Sequence, residues 1–212
     1  MALIAGLAMA QVQSANTVGF VDIETAADAY TPVTVMLTDV GVNTLSIDSI
    51  VVDGMARNSS IQIFNSDGVV ETELFYRSGW KDDEGEDASD VVFQPGDSFW
   101  VAPVRTDVTV RFPGEVKDTD LVIVAPADEY TPFGNGTPAP VAISDITFEG
   151  IARNSSIQIF NSDGVVEAEL FYRSGWKDDE GEDASDYVFQ PGDSFWVSPV
   201  RTDVTITVPS AL

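Results

Sequence analysis

Residues 55–110 and 151–206 align without a gap at an offset of 96, and only five of those 56 positions differ: Met55/Ile151, Thr72/Ala168, Val91/Tyr187, Ala102/Ser198 and Val110/Ile206. No other feature constrains the fold as strongly, because one stretch of sequence must be able to build the same unit twice. A weaker match extends backward, where Ala29-Tyr-Thr-Pro32 recurs as Glu129-Tyr-Thr-Pro132 at an offset of 100. The 212 residues therefore divide into β-module 1 over 16–116 and β-module 2 over 117–212, preceded by an apolar arm over 1–15. Pro113-Gly-Glu-Val-Lys-Asp118 is the junction, a proline–glycine break followed by polar residues. Enzymes seldom need two copies of one site in a chain, whereas structural and multivalent binding proteins gain from them.

Inside the repeat the hydrophobic period is two. Val69–Tyr76 alternates, placing Val70, Thr72, Leu74 and Tyr76 on one face and charges on the other, and Asp107–Phe112 and Asp203–Val208 alternate in the same way. Ile61–Phe64 is a further strand, joined to the next by the hairpin turn Asn65-Ser-Asp-Gly68. The turn Gln94-Pro-Gly-Asp97 leads into a strand over 98–103, while Thr17–Ile23, Val33–Leu37 and Leu121–Ala125 add three more. Ser46–Val52 reads as a short helical turn or a strand, and Phe133–Pro140 reads as an interruption. About seven short strands per hundred residues, with turn signals every 8–12, define the fold class as all-β. The expectation is two tandem small antiparallel β-modules, each a sandwich or a barrel.

Composition narrows the chemistry. With no His and no Cys the chain lacks the Ser-His-Asp triad, the imidazole switch, the thiolate nucleophile, the disulfide and the usual zinc ligands. Acids outnumber bases 35 to 10, for a formal charge of −25. A surface of that sign repels phosphates, which excludes nucleic acid and anionic membrane as partners. It also repels itself, and surrounding cations relieve that repulsion.

The arm Met1–Ala10 is a ten-residue apolar run. It suits the core of a secretion signal, with Ala8-Met-Ala10 as a small-x-small cleavage pattern, and is far short of the roughly 20 residues of a membrane span. If retained, Leu3, Ile4, Leu7 and Met9 are assembly residues that need an apolar surface to cover them.

In order, Asn16-Thr-Val-Gly-Phe-Val21, Ile61-Gln-Ile-Phe64, Gly79-Trp80 and Gln94-Pro-Gly-Asp-Ser-Phe-Trp-Val101 resemble a β-repeat module of secreted proteins in Verrucomicrobia- and Planctomycetes-type bacteria. The second copy lacks the opening Val-Gly-Phe. Ser98 and Ser194 stand where that pattern commonly has glycine, so the turn differs locally. The shared motifs are structural, and the resemblance implies an exported, extracellular or cell-surface β-module with no assigned activity.

Two features are candidate sites. Asp82, Asp83, Glu84, Glu86, Asp87 and Asp90 follow Lys81, and Asp178, Asp179, Glu180, Glu182, Asp183 and Asp186 follow Lys177. Calcium takes six to eight oxygen ligands from such loops and is the one cofactor these residues suggest, although the spacing is not that of an EF-hand. The competing reading is a solvated hairpin whose charge discourages edge aggregation. Trp80 and Trp176, at the base of the loops, are the tryptophans expected to be exposed and able to stack on a sugar ring. Phe99-Trp100 is expected in a core. Arg57, Arg77 and Arg105 are expected to pair with neighbouring acids. No residues are assigned to catalysis, because paired carboxylates for glycoside hydrolysis require two walls of a cleft and these acids crowd single loops. The expected function is an exported structural subunit of a surface layer, filament or matrix that associates with itself through strand addition or sheet edges. The alternative is a calcium-dependent polysaccharide-binding or adhesive module.

Overall fold

The computed structural model describes residues 18–65, 68–161 and 163–212. Leu3, Ile4, Leu7 and Met9 lie outside the described residues. The protein is all-β, with antiparallel sheets in two similar groups that form two tandem β-sandwich modules.

Module 1 contains strands β1 (Val18–Thr25), β2 (Thr31–Thr34), β3 (Leu45–Ser46), β4 (Val51–Asp53), β5 (Ser60–Phe64), β6 (Val70–Tyr76), β7 (Trp80–Lys81), β8 (Val92–Phe93), β9 (Ser98–Ala102) and β10 (Val108–Glu115). Module 2 repeats the order with β11 (Leu121–Ala125), β12 (Thr131–Gly134), β13 (Val141–Ala142), β14 (Thr147–Glu149), β15 (Ser156–Phe160), β16 (Val166–Tyr172), β17 (Trp176–Lys177), β18 (Val188–Phe189), β19 (Ser194–Ser198) and β20 (Val204–Val208). Setting aside the three two-residue strands of each module leaves seven, the number the turn spacing suggested.

Each module has a five-stranded sheet, β2-β9-β5-β6-β7 or β12-β19-β15-β16-β17. It also has a three-stranded sheet, β1-β10-β4 or β11-β20-β14, and a two-stranded ladder, β3-β8 or β13-β18. Every register between them is antiparallel. The alternating side chains supply two cores with no residue in common. One is built around Ile61, Leu74, Phe99, Val101, Val110 and Phe112, the other around Phe133, Ile157, Leu170, Phe195, Val197 and Ile206.

Three segments differ from expectation in instructive ways. Ser46–Val52 is both things at once, a 3₁₀ turn over Ile47–Ser49 and then β4, with the Ser46 hydroxyl accepting from the Asp48 N–H. Val33–Leu37 leaves the ladder after Thr34, yet Val35, Met36 and Leu37 stay buried. Phe133–Pro140 is not a plain interruption. It begins in β12, and buried Asn135 then donates to the carbonyls of Ala139 (2.8 Å) and Phe189 (3.2 Å) and accepts from Thr137, so side-chain bonds replace the missing ladder.

Candidate functional site

The acidic loops are folded back on the strands that precede them. The Glu86 N–H donates to Asp82 Oδ1 at 2.7 Å, the Asp82 N–H to the Glu86 carbonyl, and the Ala88 N–H to the Trp80 carbonyl. Lys81 pairs with Asp87 at 3.2 Å, and Ser89 donates to the same carboxylate at 2.7 Å. Ser89 and then Lys81 hold the Asp87 carboxyl below its ordinary range. Module 2 repeats this arrangement with Glu182 on Asp178 at 2.7 Å and Ser185 and Lys177 on Asp183. A hairpin therefore lies along the outer edge of β7 and of β17, bridged between Lys81 and Asp87 and between Lys177 and Asp183. Asp83, Glu84, Glu86 and Asp90 point to solvent, as do Asp179, Glu180, Glu182 and Asp186. Among the described residues no three acids converge into a group able to hold a metal ion.

The tryptophans exchange the places expected of them. Trp80 is 3% exposed and Trp176 6%, so neither presents a ring face to a ligand. Trp80 meets Tyr76 edge-on at 5.5 Å, and Trp176 lies between Phe148 (5.0 Å) and Tyr172 (5.5 Å). Their strands pair with β6 and β16, and the indoles pack into the core of their own module. Trp100 and Trp196, expected in a core, are half-buried and belong to neither one. The pleat turns Phe99 inward and therefore Trp100 outward.

That outward face is where the two modules meet. Trp100 and Trp196 face each other at 6.1 Å, Phe64 lies edge-on to Trp196 at 5.4 Å, and Phe160 lies edge-on to Trp100 at 5.5 Å. Tyr30 and Tyr130 close the array, each 6.2 Å from the tryptophan of its own module. Ser98 Oγ meets Ser194 Oγ on the same boundary, and Thr34 Oγ1 donates to the Asp193 carbonyl at 3.0 Å. Glycine is required at Gly164, where φ is +72° and a Cβ would stand 2.7 Å from the Tyr30 carbonyl oxygen and 3.2 Å from the Trp100 ring. Gly68 repeats the approach on Trp196. The indole Nε1 atoms of Trp100 and Trp196 are buried without an acceptor.

The three-stranded sheets carry the surface on which the modules differ. On β1, Val18, Phe20, Asp22 and Glu24 face outward; on β11, Val122 and Val124 stand where the first module has Asp22 and Glu24. Arg111 of β10 makes a paired contact with Asp22 (2.6 and 2.7 Å) and covers the Phe20 ring at 4.3 Å, while its counterpart in β20 is Thr207. The Arg111 guanidinium holds the Asp22 carboxyl below its ordinary range. Asp22, Glu24, Asp48, Asp53 and Arg111 thus line an open cleft of about 760 Å³ in module 1. Among the described residues the ion pairs are Lys81–Asp87, Arg111–Asp22, Lys117–Glu115 and Lys177–Asp183. The expected pairing of Arg57, Arg77 and Arg105 is not among them. Arg77 lies instead over the Phe75 ring at 5.5 Å, and Arg105 is engaged through its backbone N–H on Asp28.

No protein-family model, no curated protein and no solved structure matched the chain.

Sequence reasoning passed over Phe64, Ser98, Trp100 and their repeats as functional residues. The signal was available: Ser98-Phe-Trp-Val-Ala102 is apolar on both faces, which in an antiparallel sheet means both faces are covered.

Proposed function

We propose that this chain is a structural subunit, exported to a surface layer, filament or matrix, that associates with copies of itself through the three-stranded sheet of module 2. One observation carries the reading. Val122 and Val124 are each 59% exposed on β11, an edge strand, in a face whose other outward residues are Thr147, Glu149, Thr205 and Thr207. On a chain of formal charge −25, a face with a single carboxylate is where two copies approach with least repulsion. The other edges support the same reading. The five-stranded sheets end on one side at β2 and β12, which meet across the module boundary, and on the other at β7 and β17, lined by the acidic hairpins. Charged or covered edges resist pairing with another chain. Of the edge strands of the three-stranded sheets, β1, β4 and β14 each carry an outward carboxylate and β11 carries none, and exposed apolar edge strands add to one another through their backbones. The apolar arm and the resemblance to secreted β-repeats are what support export in this reading. No described helix is long and apolar enough to cross a membrane.

The test grafts module 1 onto module 2. Val122→Asp with Val124→Glu installs the residues that β1 carries at the matching positions, so the strand tolerates them. Light scattering of the full chain over a range of concentrations in high salt should show association of the parent and a monomeric double variant. A parent that stays monomeric throughout, or a variant that associates equally, overturns the proposal.

A further inference from the structure

The contact between the modules is one patch used twice. Phe64 packs on Trp196 and Phe160 on Trp100; Gly68 lies against Trp196 and Gly164 against Trp100. Ser98 meets Ser194, and Trp100 meets Trp196, each pair a residue and its own copy 96 positions on. Residue i touching the copy of j while j touches the copy of i is the pattern of an isologous dimer interface. The match breaks at one place, where Thr34 Oγ1 donates to the Asp193 carbonyl, the Gly134 N–H donates to the Gly96 carbonyl, and a Cβ at Gly134 would collide with Thr34; the patch of module 1 is therefore complementary to the patch of module 2, in the same chain or in another.

Two further observations bear on whether the contact exchanges. First, it is less complete than the cores on either side of it, because the Trp100 and Trp196 indole N–H groups are buried without acceptors and a buried donor left unmade weakens the contact that buries it. Second, β10 ends at Glu115 and β11 begins at Leu121. The five-residue connection can keep the patches at high effective concentration and sends only Val116 against a core.

We infer that the Phe64–Ser98–Trp100 patch and its repeat Phe160–Ser194–Trp196 form a binding surface for a second copy of this chain. With the boundary closed, each patch caps the other and the chain is self-contained. With it open, the chain is bivalent, and patch-to-patch pairing joins chains in series. This contact is made by the five-stranded sheets, whereas Val122 and Val124 point outward from a three-stranded sheet whose strand β11 touches the boundary through Leu121 and Ile123 on Gly96.

The absence of cysteine makes the test direct, because introduced thiols are the only ones present. Ser98 and Ser194 are 6% and 2% exposed, so a thiol at either position is shielded while the boundary is closed. Full chains carrying Ser98→Cys are mixed in equal amounts with full chains carrying Ser194→Cys, concentrated under a mild oxidising couple and analysed on non-reducing gels. The expected result is disulfide-linked dimers whose yield rises with protein concentration and exceeds that of either variant alone. Replacing the Ser194→Cys chain by one carrying Ser89→Cys on the exposed acidic loop should remove the excess. The double variant Ser98→Cys with Ser194→Cys, oxidised while dilute, should close on itself and stay monomeric at every concentration until reduced. A position-98 thiol that never links to position 194 of another chain, or that links to position 89 as readily, overturns the inference. Adding Val122→Asp and Val124→Glu should leave the position-98 links unchanged, which separates this result from that of the outer-face test.

Discussion

The two cores place their phenyl rings on different strands, and this yields a quantitative test. In module 1 the central Phe99 meets Phe93 at 4.8 Å and Phe112 at 6.2 Å, with Val33 beside it on β2. In module 2 the central Phe195 meets Phe189 and Phe133, each at 4.3 Å, and Val208 occupies the place of Phe112. A phenyl ring has moved from β10 to the strand equivalent to β2, and a valine has moved the other way. Val33, Phe112 and Val208 are fully buried and Phe133 is 1% exposed, so neither site has slack. Phe112→Val alone should cost about 2–3 kcal/mol, between a single-methyl truncation and a full Phe→Ala deletion. Val33→Phe alone overpacks the same region and should cost about 1–3 kcal/mol. Together they recreate the module 2 arrangement, and a volume-conserving exchange should cost under about 1.5 kcal/mol. The single losses sum to about 3–6 kcal/mol, so the coupling is about 1.5–6 kcal/mol, in the upper part of the usual range for residues in contact or above it. Because two modules can open separately, the readout must be local. Hydrogen exchange of peptides from β1 and from the junction after Phe112, which are unique to module 1, reports that core alone. Additive losses in the double variant would refute the compensation argument.

Two other predictions follow from local electrostatics. Burial raises the Asp193 carboxyl above its ordinary 3.8, against the opposing effect of the Gln190 N–H that donates to it at 2.7 Å. A raised folded-state value means that the group contributes stability fully below 3.8 and that the contribution is lost as pH rises through the higher folded value. Asp193→Asn keeps the acceptor and removes the charge. The variant should therefore melt higher than the parent near neutrality, and the gap should close as pH falls toward 4; parallel melting curves would sink the argument. In the acidic loops, Asp82, Asp87, Asp178 and Asp183 already accept hydrogen bonds from within the loop, and among the described residues no three acids converge. Calorimetric titration of calcium at about 0.15 M salt, where exposed charges are well screened, should give no saturable uptake of one ion per module. A saturable isotherm abolished by Asp82→Asn with Asp178→Asn would establish a calcium site in these loops and refute this prediction.

Much of the fold was legible because period-two alternation and turn chemistry are local signals. Asn65 and Gly68, Gln94-Pro-Gly-Asp97 and the alternation of 107–112 each act over a few residues, and each reappears as a turn or a strand. The burial of Trp80 was not legible, because its two-residue edge strand leads straight into a charged loop, and only the contact with Tyr76 and the rest of the module 1 core draws the ring inward. Asn135 misled for a related reason. A Gly-Asn-Gly-Thr-Pro stretch reads as a break, and only the carbonyls of Ala139 and Phe189, 4 and 54 residues away, make it an ordered one.

The boundary shows where reading one module at a time reaches its limit. Phe64, Ser98 and Trp100 are outward-facing residues of a sheet, and in a lone module they would be an apolar patch exposed to water. Their alternation with Ile63 and Phe99 makes both faces apolar over β9 and the Phe64 end of β5, so each module demands a second layer there that its own chain segment does not contain. A second copy of the same patch supplies it, and duplication provides that copy at high local concentration. The repeat and the tryptophans that seemed misplaced are therefore one fact: the module is built to lie against itself. Whether the copy comes from the same chain or from the next is decided by the five residues between β10 and β11 and not by the chemistry of the patch.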